Sequence, residues 1–295
     1  MKNPEKDLEA IKQREYKVVK HNSLIESVVP YMDKVTKQKH ILKAVEQRAV
    51  NYILSLISPN CELQRNLRFT SEGALEVEFP ISQYCNTCGL SICGKNYKDI
   101  KATLQTIATR GFWLDDKKGN SFLFTWITTP KINSDDGTII VTIPEPVVPL
   151  LIKLTDNFTV FSLKETLGLR GNYSSPFYEL FAAKAFQKSR TITIEEIRER
   201  FALENKYLNV DDLKKWVIDP SIKEINKLTS LNITYKAIRS NRRVVGYTFM
   251  IEKKFGADKD LAELETTKKI KQISESRYNI LKDYYQMELT DYVKG

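Results

Sequence analysis

The order of elements constrains this chain most: helix, turn, helix and β-hairpin succeed one another twice, without obvious identity between the two copies. Periodicity supplies the order. In the first half, Val45, Ala49, Tyr52, Ile53, Leu56 and Ile57 fall at helical spacing over residues 41–57, and Pro59-Asn60 ends that helix. Leu75-Glu-Val-Glu-Phe-Pro-Ile81 alternates apolar and charged side chains, as a half-buried strand does. A short helix over Ser82 to Cys88 and a turn at Gly89 come next. A second helix runs from Asn96 to Arg110, with Ile100, Leu104, Ile107 and Ala108 on one face. Phe112 to Leu114, Ser121 to Thr128 and Thr138 to Ile143 then read as strands, separated by the loop signals Asp115 to Asn120 and Asn133 to Gly137.

Pro144, Pro146 and Pro149 mark a boundary, and the domain border is placed near residues 145–155. Beyond it, Tyr173 to Gln187 reads as helix, with Phe177, Leu180, Phe181 and Ala185 on one face. Thr193 is an N-cap with Glu196 at the capping-box position. Ala202 to Leu208 is a turn, and a long helix starts at Asn209. Its apolar positions are Leu213, Trp216, Val217, Ile222, Ile225 and Leu228, and Pro220 is expected to kink it. A hairpin closes the set, Leu231 to Ile238 and Val244 to Glu252 around Arg239-Ser-Asn-Arg-Arg243. This is winged-helix order. The expected fold class is α+β, with two tandem winged-helix domains over 1–148 and 149–255 and a charged, helical tail over 256–295. Residues 1–20 are expected to be mobile, and Tyr16 to Ile25 to add an edge strand or a clasp.

Charge points to a partner. Lysines and arginines outnumber acids 46 to 37, a net charge of +9, which suits a polyanion. Most of the excess lies in residues 188–254, with 15 basic and 9 acidic side chains, and Asn232 to Ile251 contains no acid. A helix fits the major groove, and a basic hairpin reaches phosphate or a minor groove. The DNA-binding candidates are therefore Asn209, Lys214, Lys215 and Lys223 on the long helix and Arg239, Arg242 and Arg243 on the hairpin. In the first domain, Lys95, Asn96, Lys98 and Lys101 open the analogous helix and are expected to touch phosphates. The rest of that helix is apolar, which suits packing or dimer contact.

Other classes find little support. No apolar run reaches the length of a membrane span, and Met1 to Lys20 has no secretory h-region, so the expected location is cytoplasmic. Cys85, Cys88 and Cys93, with Cys61, offer only one CxxC, and reduced thiols are expected rather than a metal site. Gly89 to Asn96 has the GxxxxGK spacing of a P-loop, but Asn96 stands where Ser or Thr must hold Mg²⁺. His21 and His40 are the only histidines, so no His-x-His pair accompanies a nucleophilic tyrosine. No catalytic residue, cofactor or metal is expected, and the chain is not read as an enzyme.

Four short motifs resemble one family in the right order. Val18-Val-Lys-His-Asn-Ser-Leu-Ile25 resembles the opening of the initiator replication proteins of theta-replicating, iteron-bearing plasmids. Glu46-Gln-Arg48 is similar to a segment of the helix that follows, and Tyr173-Ser-Ser-Pro-Phe-Tyr-Glu-Leu180 to a later helix. Trp216-Val-Ile-Asp-Pro-Ser-Ile-Lys-Glu-Ile-Asn226 is similar to its recognition helix. Pro176, the cysteines and the tail depart from the pattern. The resemblance implies two winged-helix domains that bind repeated duplex sequences at an origin, open it, recruit a host helicase or initiator, and repress the protein's own promoter as a homodimer. It places basic recognition-helix residues on Lys214 and Lys215, and basic wing residues on the hairpin at Arg239, Arg242 and Arg243. A winged-helix transcriptional repressor and a protein–protein interaction scaffold remain the alternatives.

Overall fold

The computed structural model describes residues 16–30, 39–58, 67–90, 94–115, 120–152, 154, 157–254 and 267–272. The first elements among the described residues are β1 (Lys17–His21), one turn of helix α1 (Ser23–Glu26) and β2 (Val28–Pro30). Helix α2 (Ala44–Ile57) is buried along almost its whole length, as the apolar spacing of Ala49, Tyr52, Ile53, Leu56 and Ile57 demands, but Val45, expected on the same face, is exposed. Its first turn is tied down by Glu46, whose carboxylate accepts from the Lys43 backbone N–H at 2.6 Å and from Arg110 Nη1 at 2.9 Å. Gln47 donates to the carbonyls of Leu42 and Asn172 at 2.6 and 3.0 Å. The Glu-Gln-Arg motif thus begins with two staples that hold the helix entry.

Strands β3 (Leu67–Phe69) and β4 (Leu75–Pro80) pair antiparallel, with Leu75, Val77 and Phe79 turned inward. Helices α3 (Ile81–Cys88) and α4 (Gly94–Thr109) form the first helix-turn-helix. Gly89 ends α3 at φ +66° and Leu90 N donates back to Cys85 O at 2.8 Å, a left-handed cap that glycine adopts without steric cost. Two hairpins follow, β5 (Phe112–Asp115) with β6 (Ser121–Phe124) and β7 (Thr128–Asn133) with β8 (Thr138–Ile143). They complete sheets ordered β2-β5-β6 and β3-β4-β8-β7.

Helix α5 (Pro149–Ile152) leads to β9 (Phe158–Ser162), which pairs antiparallel with β1, from Lys17 opposite Ser162 to His21 opposite Phe158. The expected edge strand is β1, and its partner lies beyond the proline-marked border. Helix α6 (Leu163–Gly168) and α7 (Ser174–Ala183) follow. Pro176 sits in the first turn of α7, where the backbone N–H has no intrahelical partner, so this departure from the family pattern costs no hydrogen bond.

The second helix-turn-helix comprises β10 (Ser189–Thr193), α8 (Ile194–Arg200), α9 (Val210–Leu213), a π turn (Lys214–Ile218) and α10 (Asp219–Leu228). Thr193 Oγ1 accepts from Glu196 N at 3.0 Å and Glu196 Oε2 from Thr193 N at 2.9 Å, the expected capping box. The wing is β11 (Leu231–Ser240) with β12 (Arg243–Lys253), and the sheet order is β10-β12-β11. Gly246 lies where β12 crosses β10: a Cβ there would sit 2.8 Å from Ile192 O, so the strands approach only over a bare backbone.

One continuous apolar core runs through both halves. Phe177 of α7 is fully buried, its ring 4.7 Å from Phe201 and 6.1 Å from Phe249. At the junction, Lys20 Nζ lies 2.9 Å from both carboxylate oxygens of Glu179, and Asn51 Nδ2 donates to the same carboxylate at 3.1 Å. Arg200 donates to the carbonyls of Ile25 and Glu26, and Glu26 also pairs with Lys184 at 2.9 Å. Burial holds Arg200 well below the usual guanidinium range, at about 10, with Arg190 next among the causes. Residues 267–272 are helical, and Ile270 is fully buried against Val19 and Leu154. The remainder of the expected tail over 256–295, and the first 15 residues, lie outside the described residues.

Candidate nucleic-acid interface

The second winged helix gathers the basic residues. Asn209 is the N-cap of α9, its Oδ1 accepting from Asp211 N at 3.0 Å, so its side-chain oxygen serves the helix. Burial leaves Leu213, Val217, Ile218, Ser221, Ile222 and Ile225 inside. Lys215, Trp216, Lys223 and Lys227 form the exposed stripe. Lys215 Nζ lies 5.0 Å from the Trp216 ring centroid, a cation–π contact.

Trp216 and Leu228, expected in the apolar face, are 55% and 42% exposed. The π turn explains the correction for Trp216. Each residue of a π turn rotates the chain less than an α-helical one, so the inward positions move from Leu213 to Val217 and Ile218 and carry Trp216 out. The turn also answers Pro220. That proline has no N–H to offer the preceding turn, and the regular α-helical ladder gives way to the widened π segment directly before it, where the sequence placed an interruption.

Lys214 is engaged rather than projecting alone. Its Nζ lies 2.8 Å from Asp219 Oδ2 and 5.9 Å from the Tyr235 ring centroid, and Tyr235 OH donates to Asp219 Oδ1. The Asp219 hydrogen bond raises Lys214 above the ordinary lysine range, and burial followed by Asp219 pushes Tyr235 up to about 12. This cluster joins the helix to strand β11. Tyr247 is raised chiefly by burial, and Lys214, Asp211, Asp219 and Arg239 all bear on it, so charges of helix and wing meet around one ring.

The wing tip is shorter than expected. Ser240 pairs with Arg243, leaving a two-residue loop of Asn241 (φ +46°) and Arg242 (φ +70°). Positive φ at both positions is the geometry of a type I′ turn, whose twist matches paired strands. Arg239 and Arg243 therefore belong to the strands, both exposed, with a register shift at Ile238/Arg239. Arg239 Nη1 donates to Arg242 O at 3.2 Å and closes the turn.

Arg198 is a positioning residue that sequence reasoning missed. Its Nη1 donates to the carbonyls of Leu203 and Lys206 at 3.3 and 3.0 Å, and its Nη2 to those of Tyr207 and Leu208 at 2.8 and 3.0 Å. The turn it grips contains Ala202 at φ +53° and Tyr207 at φ +50°. The guanidinium sets how α9 leaves the turn.

In the first winged helix, Lys98 and Lys101 are exposed on α4, and Lys101 Nζ lies 5.1 Å from the Tyr97 ring centroid. The side chains of Lys95 and Asn96 lie outside the described residues, as do Cys61 and Cys93. Tyr97 OH bonds Ser134 Oγ at 2.9 Å, joining helix to wing. That wing tip carries Asp135 and Asp136, both exposed, so it repels phosphate. Lys98 and Lys101 thus belong to the first helix-turn-helix, and the six basic candidates of the second half to the second helix-turn-helix and its wing. Cys85 is buried, and burial pushes the Cys88 thiol up to about 12. Among the described residues no helix is long and apolar enough to cross a membrane.

A helix-turn-helix completed by a hairpin wing, present twice along one chain, defines a tandem winged-helix protein. The pattern described as "Initiator Replication protein, WH1" matches residues 17–182, and that described as "Initiator Rep protein, WH2" matches residues 193–251. The chain belongs to the initiator replication protein family. A replication initiation protein of Escherichia coli is 22% identical over 214 residues, which is 70% of this chain and 65% of that relative. The chain therefore spans slightly less than two thirds of the curated relative it matches. The fold is also similar to a crystal structure of Pi initiator protein in complex with iteron DNA, at a TM-score of 0.60 and 18% identity, covering 81% of this chain and 98% of that one.

Proposed function

We propose that the chain is a plasmid replication initiator that binds repeated duplex sequences at an origin through its second winged helix. The observation that carries this reading is the convergence of an exposed Lys215–Trp216–Lys223 stripe and a basic two-residue wing tip on one domain. Arg242 strengthens it. A residue at φ +70° in a type I′ turn is ordinarily glycine or asparagine, and strain kept at such a position points to a use for the side chain.

Residues 149–255 then read bases, and residues 1–148 contact backbone through Lys95, Asn96, Lys98 and Lys101 and serve dimerisation. Trp113 and Leu123, paired across β5 and β6 and both exposed, support a protein contact on the first domain. In this reading the protein opens the origin, recruits a host helicase or initiator and represses its own promoter as a dimer, in the cytoplasm and without catalysis. The structural match to a relative crystallised on iteron DNA supports the same direction.

The experiment is a gel-shift titration with duplex from upstream of the protein's own gene against scrambled duplex at two salt concentrations. Ladder-like, selective shifts that weaken with salt are expected. Equal binding to both duplexes reduces the function to non-specific affinity, and no binding to either favours a protein-interaction role.

A further inference from the structure

The basic candidates Lys215, Lys223, Arg239, Arg242 and Arg243 of the second winged helix are exposed to solvent and Lys214 is half-exposed; among the described residues Lys214 alone of the six pairs with a carboxylate, Asp219 at 2.8 Å. That carboxylate is doubly held. Its other oxygen accepts from Tyr235 OH on the wing strand, so Asp219 cannot simply follow Lys214 toward an incoming strand of DNA. Both partners are almost half exposed, with side-chain accessibilities of 44% and 45%, so the pair stands at the surface a duplex would approach. Asp219 therefore competes with any phosphate for the same ammonium from a fixed position.

We propose that Asp219 is a specificity-determining residue, which withholds Lys214 from the phosphates of unrelated duplex and holds its ammonium as a fixed donor toward a base edge. The proposal rests on the duplex-binding reading above. A phosphate contact is indifferent to sequence and adds to affinity through counterion release. A held lysine gains little from phosphates it meets at random, because the carboxylate beside it offsets its charge and repels them, while its remaining N–H donors still serve a neutral acceptor. Acceptors at a fixed place in the major groove, such as guanine O6 and N7, reward a donor already aimed. The pair thus lowers background affinity and sharpens the contrast between sites.

The test measures full-chain binding to scrambled and upstream duplex across a salt series. Asp219→Asn is expected to steepen the slope of log K against log salt on scrambled duplex by about 0.9, one further phosphate contact, and to narrow the selectivity ratio severalfold. Asp212→Asn, on the exposed first turn of the same helix region, removes an equal charge and is expected to leave the slope unchanged. Lys214→Ala is expected to leave the scrambled-duplex slope unchanged while weakening binding to the upstream duplex, an independent arm should the asparagine variant misfold. A wild-type slope in Asp219→Asn, or a slope about 0.9 shallower in Lys214→Ala, overturns the proposal. Failure of the wild-type protein to discriminate the two duplexes strikes the function reading instead, since the slopes on scrambled duplex are read separately.

Discussion

Lys20 is 3% exposed and its charge is met by Glu179, with the rings of Trp126 and Phe161 at 5.3 and 5.6 Å from Nζ. Two of the motifs that resemble the family, the one containing Lys20 and the one containing Glu179, are thus two halves of one buried contact. Packing alone thus gives both segments a part to play, apart from any contact with DNA. Glu179→Ala leaves an ammonium buried without its carboxylate and is expected to cost about 3–5 kcal/mol, read by thermal or denaturant unfolding. Cys88 provides a pH test. Burial raises its folded thiol from 9.0 to about 12, so the folded state holds its proton longer than the unfolded chain. The stability of the folded state accordingly falls as pH climbs through that window, and alkylation at pH 8 is expected to be faster in denaturant than in native buffer.

At the scale of elements, one substitution at the wing tip has two opposite expected consequences. Arg242→Gly relieves positive φ and is expected to stabilise the fold by about 0.5–1 kcal/mol. The same change is expected to flatten the salt dependence of DNA binding by about one contact. Arg198→Met keeps the aliphatic stem but frees four carbonyls; selectivity between duplexes is expected to fall more than non-specific affinity, with α8 helicity retained by circular dichroism. Helices, hairpins, the capping box at Thr193 and the basic wing were legible in the residues, because each rests on local periodicity or composition. Trp216 was not, since a π turn follows no repeat that apolar spacing displays. Arg198 was not, since its partners are backbone carbonyls and carry no side-chain signature. Asp219 stands inside the segment that resembles the family's helix, but its pairing with Tyr235 joins that helix to a wing strand and has no local signature.

At the scale of the whole molecule, the two winged helices share a core and are joined by Arg200, Glu26, Lys184 and the Lys39–Glu204 pair. The spacing of the two helix-turn-helix units is therefore set by packing rather than by a slack linker. Arg200→Ala removes bonds to two carbonyls of the first domain. It is expected to lower the unfolding midpoint and to change protease sensitivity at residues 185–210 more than within α4. Distant pairing of this kind was hidden from the sequence, because Tyr16 to Ile25 reads as an edge strand or clasp without naming a partner, and no strand was expected at Phe158–Ser162.

The pairing of β1 with β9 has a consequence in time. A ribosome delivers Lys17 long before Ser162, its register partner. At synthesis rates of about 5–20 residues per second, the interval is roughly 7–30 s. Throughout it, the leading strand offers unsatisfied amides and the apolar side chains of Val18 and Val19 to whatever it meets. Nascent chains of this protein should accordingly engage chaperones early and release them only once β9 has emerged.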